Sequence, residues 1–403
     1  MARCCSTICL PIGKDAYQAL VHDPARFREW LDSAFGDCPE LFPQAFAKGY
    51  TLKDDRVSAK TGLRTRRVRL TSTGESFSVR PSFVLPYHAA LADEVADGLF
   101  LRSFGVPFWA IAKVFGRDPM SWYRLEVSLG RNSVVGATVR KAELPEHLLA
   151  DEHHQTRDGD KNYVATTVGA GCCLGAALAQ SANAEDLQAA YAVFKEEAQE
   201  VRPGYRPQTV SVDGWAATHQ AWQALFPLVT LLRCFLHGWL NMRSRGKLNE
   251  AFRELSGKVW EAFAAPDRRS FGQRMRRLWE WAQANVKGAW LLEQVEKMCK
   301  RKQEYGEAYS HPGGHRTSNM LDRVMRSMSR YFEDCQHLHG SAQACERHCR
   351  AWALLFNFRP WHPATARTNG GWRCPAERLN EHRYHDDWLQ NLLVSASLGG
   401  FRR

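Results

Sequence analysis

Between Leu148 and His237 the order of apolar runs and turns leaves few architectures open. Leu148-Leu149-Ala150 leads into Asp151-Glu152-His153-His154, Lys161 to Val168 follows the polar turn Arg157-Asp158-Gly159-Asp160, and Cys172 to Leu178 follows Gly169-Ala170-Gly171. Three strands joined by tight turns make an antiparallel meander. Ala184 to Glu200 then sets Leu187, Tyr191 and Phe194 on one helical face, and Thr209-Val210-Ser211-Val212 returns to period two before stopping at Asp213-Gly214. A further apolar run, Pro227 to Leu236, ends in Cys234-Phe235-Leu236-His237. A carboxylate at the end of a buried strand projects from a rigid element into the space where α/β folds bind their ligands. The pattern predicts an α/β fold built on a mixed sheet.

Three strands, helix, strand, helix, strand is the order of an RNase H-like core. With Asp151 ending the first strand, Asp213 ending the fourth and Cys-x-x-His after it, the stretch resembles the catalytic region of certain DDE/D transposases. These are the Mutator-like and hAT-like families, with their (C/D)xxH signature, and their bacterial insertion-sequence relatives. From Gly238 to about Ser310 the strands stop. Leu248, Phe252, Leu255, Val259, Trp260 and Phe263 repeat at helical spacing, as do Met275, Leu278, Trp279, Ala282, Val286 and Trp290. In the resembling families a helical insertion occupies this place, here 241–310, between the second and third acids. Thr317-Ser318-Asn319 ahead of Asp322 resembles the motif around the third acid, with aspartate where those families usually carry glutamate. Glu152, Asp158 and Asp160 are the local alternatives for the first acid, and Glu307 for the third.

The resemblance implies a transposase that binds terminal inverted repeats and joins them to target DNA, working as a homodimer or larger synaptic assembly. It implies Mg²⁺, with Mn²⁺ as a substitute, held by Asp151, Asp213 and Asp322. Two such ions ~3.5–4 Å apart activate the attacking oxygen and stabilise the leaving one, and magnesium needs only a few well-placed carboxylates. Cys234 and His237 alone cannot close a zinc site; the resemblance implies that they lie beside the active site and help to handle the DNA end. His315 and Arg316 are candidates for holding the scissile phosphate. The rival expectations are an RNase H-like nuclease or resolvase that cuts without joining, and a transposase-derived DNA-binding protein whose catalysis has lapsed.

The 403 residues exceed one ordinary core, and the net charge of +11 favours a polyanionic partner. No run approaches ~18 uninterrupted apolar residues, so no membrane span is expected. Cys4, Cys5 and Cys9, and Cys345 with Cys349, lack a second pair at zinc spacing. Reduced thiols in a cytoplasm are the expectation. Residues 14–48 read as helical, and 1–88 as an N-terminal region that includes a small β hairpin turning at Thr73-Gly74-Glu75. Arg64, Arg66, Arg67 and Arg69 are read as a DNA-contacting face of that hairpin. Residues 89–147 read as a helix-turn-helix region and a connector from residue 131. Phe108 to Phe115, the turn Gly116-Arg117-Asp118 and a helix opening at Pro119 would present Ser121, Trp122, Arg124 and Glu126 to a major groove. The core is expected at 148–240 and 311–403.

Overall fold

The computed structural model describes residues 6–59, 61–86, 88, 90–141, 143–335 and 337–401. Its first part pairs β1 (Thr7–Leu10), β2 (Tyr50–Val57), β3 (Arg64–Leu70) and β4 (Ser76–Pro81) in the order β1-β4-β3-β2, with α1 (Lys14–Val21) and α2 (Pro24–Asp37) between the first two strands. The expected hairpin is β3 and β4, with Arg69 opposite Ser76 across the Thr73-Gly74-Glu75 turn. β1 and β2 carry no clear sequence signal: one is four residues long, and the other buries only Tyr50. Their presence changes the meaning of β3, which is an inner strand rather than a free edge.

Three helices come next: α3 (Ala92–Arg102), α4 (Phe108–Phe115) and α5 (Pro119–Leu129). Ala89, the expected start of the first, lies outside the described residues. The Asp118 carboxylate caps α5 by accepting from the Met120 amide at 2.8 Å, as expected for an acid before proline. The expected orientation of α5 is corrected. Trp122 is fully buried, its indole donating to the Gly116 carbonyl at 2.9 Å, and a Cβ on Gly98 would stand 2.5 Å from its ring. Glu126 is buried as well. Trp122 and Glu126, read as groove-directed, therefore pack inside the fold.

The connector also proves to be core. α6 (Val134–Thr138) is buried along its length, and the Glu197 carboxylate accepts its Val135 amide at 3.0 Å. One apolar cluster runs from Ile8 through Trp122 and Val164 to Leu398, so the regions 1–88 and 89–147 share a core with the C-terminal half of the chain. The Ser397 hydroxyl accepts from the Cys9 amide at 3.0 Å and donates to the Leu41 carbonyl at 2.7 Å.

The second sheet contains β5 (His147–Arg157), β6 (Asp160–Gly169), β7 (Cys172–Ala179), β8 (Thr209–Val212) and β9 (Thr230–Arg233), with α7 (Ala184–Val201) before β8 and α8 (Ala216–Leu225) after it. The spatial order is β7-β6-β5-β8-β9. β6 runs antiparallel to both neighbours, whereas β5, β8 and β9 are parallel. Both faces are covered. Leu149, Val164 and Val168 join the long cluster, while Leu148, Ala150 and Val210 pack with Leu187, Tyr191 and Trp222 of α7 and α8.

α9 (Phe235–Gly246), α10 (Phe252–Phe263), α11 (Arg268–Asn285), α12 (Ala289–Lys300) and α13 (Lys302–Gly306) form a helical unit with its own core around Phe235, Val259, Met275 and Val295. It begins at residue 235 rather than 241. The Phe235 amide donates to the Arg316 carbonyl at 3.0 Å, so the chain leaves and rejoins the sheet at adjacent points. α14 (Asn319–Asp334), α15 (Ala342–Phe358), α16 (Pro363–Thr368), α17 (Pro375–Asn380) and α18 (Trp388–Ser395) complete the chain. Among the described residues no helix is long and apolar enough to cross a membrane.

Candidate active site

Asp151 does not end its strand. β5 continues to Arg157, and Asp151 sits in its middle, opposite Thr166 of β6. β8 is shorter and stops at Val212. The parallel register pairs Leu149 with Ser211, so Asp151 and Asp213 are the next same-face positions where β8 gives out. Asp213 Oδ1 accepts the Trp215 amide at 2.8 Å, fixing the turn. Gly214 takes a positive φ of 101°, and a Cβ there would lie 1.9 Å from the Arg233 guanidinium. Period two also settles Glu152, an alternative for the first acid. It points to the opposite face, where its Oε1 accepts from the Tyr191 hydroxyl at 2.7 Å and the Thr218 hydroxyl at 2.9 Å. Burial pushes its carboxyl up to about 7 against those bonds. Asp158 and Asp160 lie at the far hairpin, Asp158 within 3.7 Å of His339.

Asp322 stands in the first turn of α14 and accepts from the Ser318 hydroxyl at 3.1 Å. Its competitor Glu307 pairs with Arg268 at 3.2 Å in the helical unit. The other two aspartates both act on Asp151. Burial first, then the Asp213 charge, raise the Asp151 carboxyl to about 6; Asp322 adds to the effect, while a bond to the Glu152 amide and the charge of His237 oppose it. Cys234 stands beside His237 and Ser318. Burial pushes its thiol up, but those neighbours outweigh burial and leave it below its ordinary range. Cys234 lifts His237 to about 9 against burial, with help from the charges of Asp151 and Asp213. The charges of Asp151 and Asp213 thus favour the protonated form of His237. Sequence spacing marks Cys234 and His237 but not Ser318 as their link to the third acid; the Thr-Ser-Asn motif is the available signal.

The remaining candidates are placed differently. Arg316 turns into the helical unit, donating to the Phe263 carbonyl at 2.7 Å and the Tyr309 hydroxyl at 2.8 Å, with its guanidinium over both rings. It is not a free phosphate ligand. His315 is half-buried near His147, and burial holds its imidazole below the usual range. The hairpin arginines have partners within the chain, although Arg69 is exposed. Arg64 pairs with Asp55 at 2.5 Å, Arg67 pairs with Asp54, Arg66 donates to the Val21 carbonyl at 2.6 Å, and Arg69 to the Gly74 carbonyl at 3.2 Å. Of the groove candidates, Arg124 is exposed and Ser121 half-buried. The described cysteines are free thiols; Cys4 and Cys5 lie outside the described residues.

Among the described residues no three His, Cys, Asp or Glu side chains close into a ready-made metal cluster. The donor set nonetheless suits a hard divalent ion that keeps several of its waters. The charges of Asp213 and Asp322 both disfavour ionisation of Asp151 and that of His237 favours it, so a cation beside Asp151 would offset part of what raises its carboxyl. No family model matches the chain, and no curated protein matches it.

Proposed function

We propose that this chain is a DDE/D-type DNA transposase with an RNase H-like core, which binds terminal inverted repeats and performs divalent-metal-dependent strand cleavage and joining. One observation carries the reading: on two parallel neighbouring strands and the helix after a long insertion stand Asp151, Asp213 and Asp322, the latter two both acting on Asp151, with His237 beside them. The sheet order β7-β6-β5-β8-β9, with only β6 reversed in the inner meander, supports the core assignment.

Asp151, Asp213 and Asp322 would hold Mg²⁺ or Mn²⁺. When bound, that metal supplies charge at the attacking and leaving oxygens of the phosphodiester. The protein's own part is to fix the acids on rigid elements and to set a positive imidazole beside them. The Ser318 hydroxyl orients Asp322, and Cys234 stands beside His237. Exposed Arg276 and Arg277 on α11 offer a surface for the DNA backbone. Arg274 is not part of it, since it donates to the Glu261 carbonyl at 2.5 Å and ties α11 to α10. A dimer or larger assembly follows from the need to pair two DNA ends.

The test is incubation of the purified full chain with its flanking DNA ends and Mg²⁺. Nicked and joined products are expected, and Asp151→Asn, Asp213→Asn and Asp322→Asn should each abolish cleavage while keeping affinity for the ends. Nicks without joined products would favour the nuclease or resolvase. Binding without either product would favour the lapsed DNA-binding protein, the reading that aspartate in place of glutamate at position 322 invites.

A further inference from the structure

The third acid comes from a helix and the first from a strand, so something must hold α14 against β5. On β5, Asp151, His153 and Gln155 share a face by period two. On α14, Asp322, Met325 and Ser329 share a face at spacings of three and seven. Strand and helix therefore meet at two places: the acids at one, His153 and Ser329 at the other. His153 Nε2 and Ser329 Oγ are 2.8 Å apart. His153 Nδ1 is engaged by the Gln155 amide at 3.1 Å, and Ser329 Oγ donates to the Met325 carbonyl at 3.0 Å. Both ring nitrogens are used, which leaves the imidazole one orientation.

Leu321, Val324 and Met328 bury α14 in the same cluster as Leu149 and Val164, and the His153–Ser329 bond adds a directional contact where that packing gives way. A cleft of about 340 Å³ opens beside the contact, lined by Asp151, His153, Gln155, Met325, Ser329 and Glu333 among others. The hydrogen bond crosses between two elements that the cleft leaves partly apart. The rest of α14 is fixed from behind, by Arg359 on Ser327 at 2.8 Å and by Tyr331 on His348 at 2.6 Å.

We infer that His153 and Ser329 are positioning residues that set where Asp322 stands relative to Asp151. The inference rests on the proposed role of Asp322. Neither residue is a ligand of the DNA or the metal; both act through the helix.

The test uses full-chain Ser329→Ala and Ser329→Thr with three readouts. These are cleavage rate at saturating DNA end, Mn²⁺ binding by calorimetry without DNA, and thermal unfolding. A displacement of ~1 Å at a reacting group costs on the order of 100-fold in rate. Ser329→Ala should therefore lose between ten- and a hundredfold in rate, roughly, with unchanged DNA-end affinity and weaker Mn²⁺ binding. Its melting temperature should stay near that of the parent. Ser329→Thr keeps the hydroxyl and should restore both rate and Mn²⁺ affinity. The inference is overturned if Ser329→Ala keeps the parent's rate and Mn²⁺ affinity. It is equally overturned if rate falls only together with melting temperature and threonine restores neither. Asp322→Asn separates this from the reading beneath it: undiminished cleavage and Mn²⁺ binding in that variant would remove the third acid itself, whatever Ser329→Ala does. If the parent chain cuts no DNA, the transposase reading fails, and the Mn²⁺ arm still decides whether the rung shapes the carboxylate site.

Discussion

At the scale of single residues, what is legible in the sequence depends on whether a residue's neighbours are also legible. Asp151 and Asp213 can be found because a period-two strand fixes the face of every side chain on it, and the topology makes the two strands neighbours. The pairing of Arg64 and Arg67 of β3 is not legible because their partners, Asp55 and Asp54, lie on a strand with no clean alternation. Without β2 in view, four cations in six residues look like a surface in search of an anion. Gly214 reads only as a strand stop, and its real constraint is the Arg233 guanidinium packed over it. Gly214→Ala should cost ~1–3 kcal/mol, since it forces a side chain onto a left-handed backbone and displaces Arg233 from Glu304. A lowered urea midpoint with an unchanged slope would check it. Position 322 asks a finer question. Asp322→Glu should keep partial cleavage if the site has room for the longer acid, and fall on the order of a hundredfold if it is shaped around aspartate.

At the scale of elements, the helices are easier to foresee than their faces. α4, the tight turn and α5 fall where caps and glycine put them, yet helical periodicity alone does not say which side of α5 is covered. The answer lies far along the chain. Arg102 of α3 pairs with Glu126 of α5 at 3.1 Å, and Tyr331 of α14 bonds both Glu126 and His348 of α15. This polar knot sits among apolar residues, and no local pattern announces it. It has a pH signature. Burial holds His348 down to about 4; the Glu126 carboxylate works against that and Arg102 adds to it. The folded form thus refuses a proton that the unfolded chain accepts near its ordinary pKa of about 6.5. Stability is complete above that value and declines as the pH falls toward 4, by roughly 3 kcal/mol in all. His348→Gln should flatten this part of the dependence of the urea midpoint on pH. An equally steep decline in the variant would assign it to other groups.

At the scale of the whole molecule, the sequence suggests regions in series, whereas the fold interleaves them. Residues 1–140 bury Ile111, Leu125 and Leu129 in a cluster completed by α15 and α18, so that fragment alone should show no cooperative unfolding transition by circular dichroism. The helical unit is the opposite case. Because Phe235 and Arg316 meet backbone to backbone, replacing 236–315 with a short Gly-Ser linker should leave a cooperative transition and the strand signal intact. Loss of both would show the unit to be structural for the sheet. The link between Cys9 and Ser397 has a consequence during synthesis. Emerging from the ribosome, β1 has to wait for a hydroxyl encoded 388 residues later before its neighbourhood closes. Long-range contacts of this kind form late, after their loop-closure entropy has been met. The nascent chain therefore carries an unfinished N-terminal sheet until that distant segment has been made. Ribosome-stalled chains ending short of Ser397 should stay protease-sensitive around Cys9 and Leu41, and become resistant only once that serine has cleared the exit tunnel.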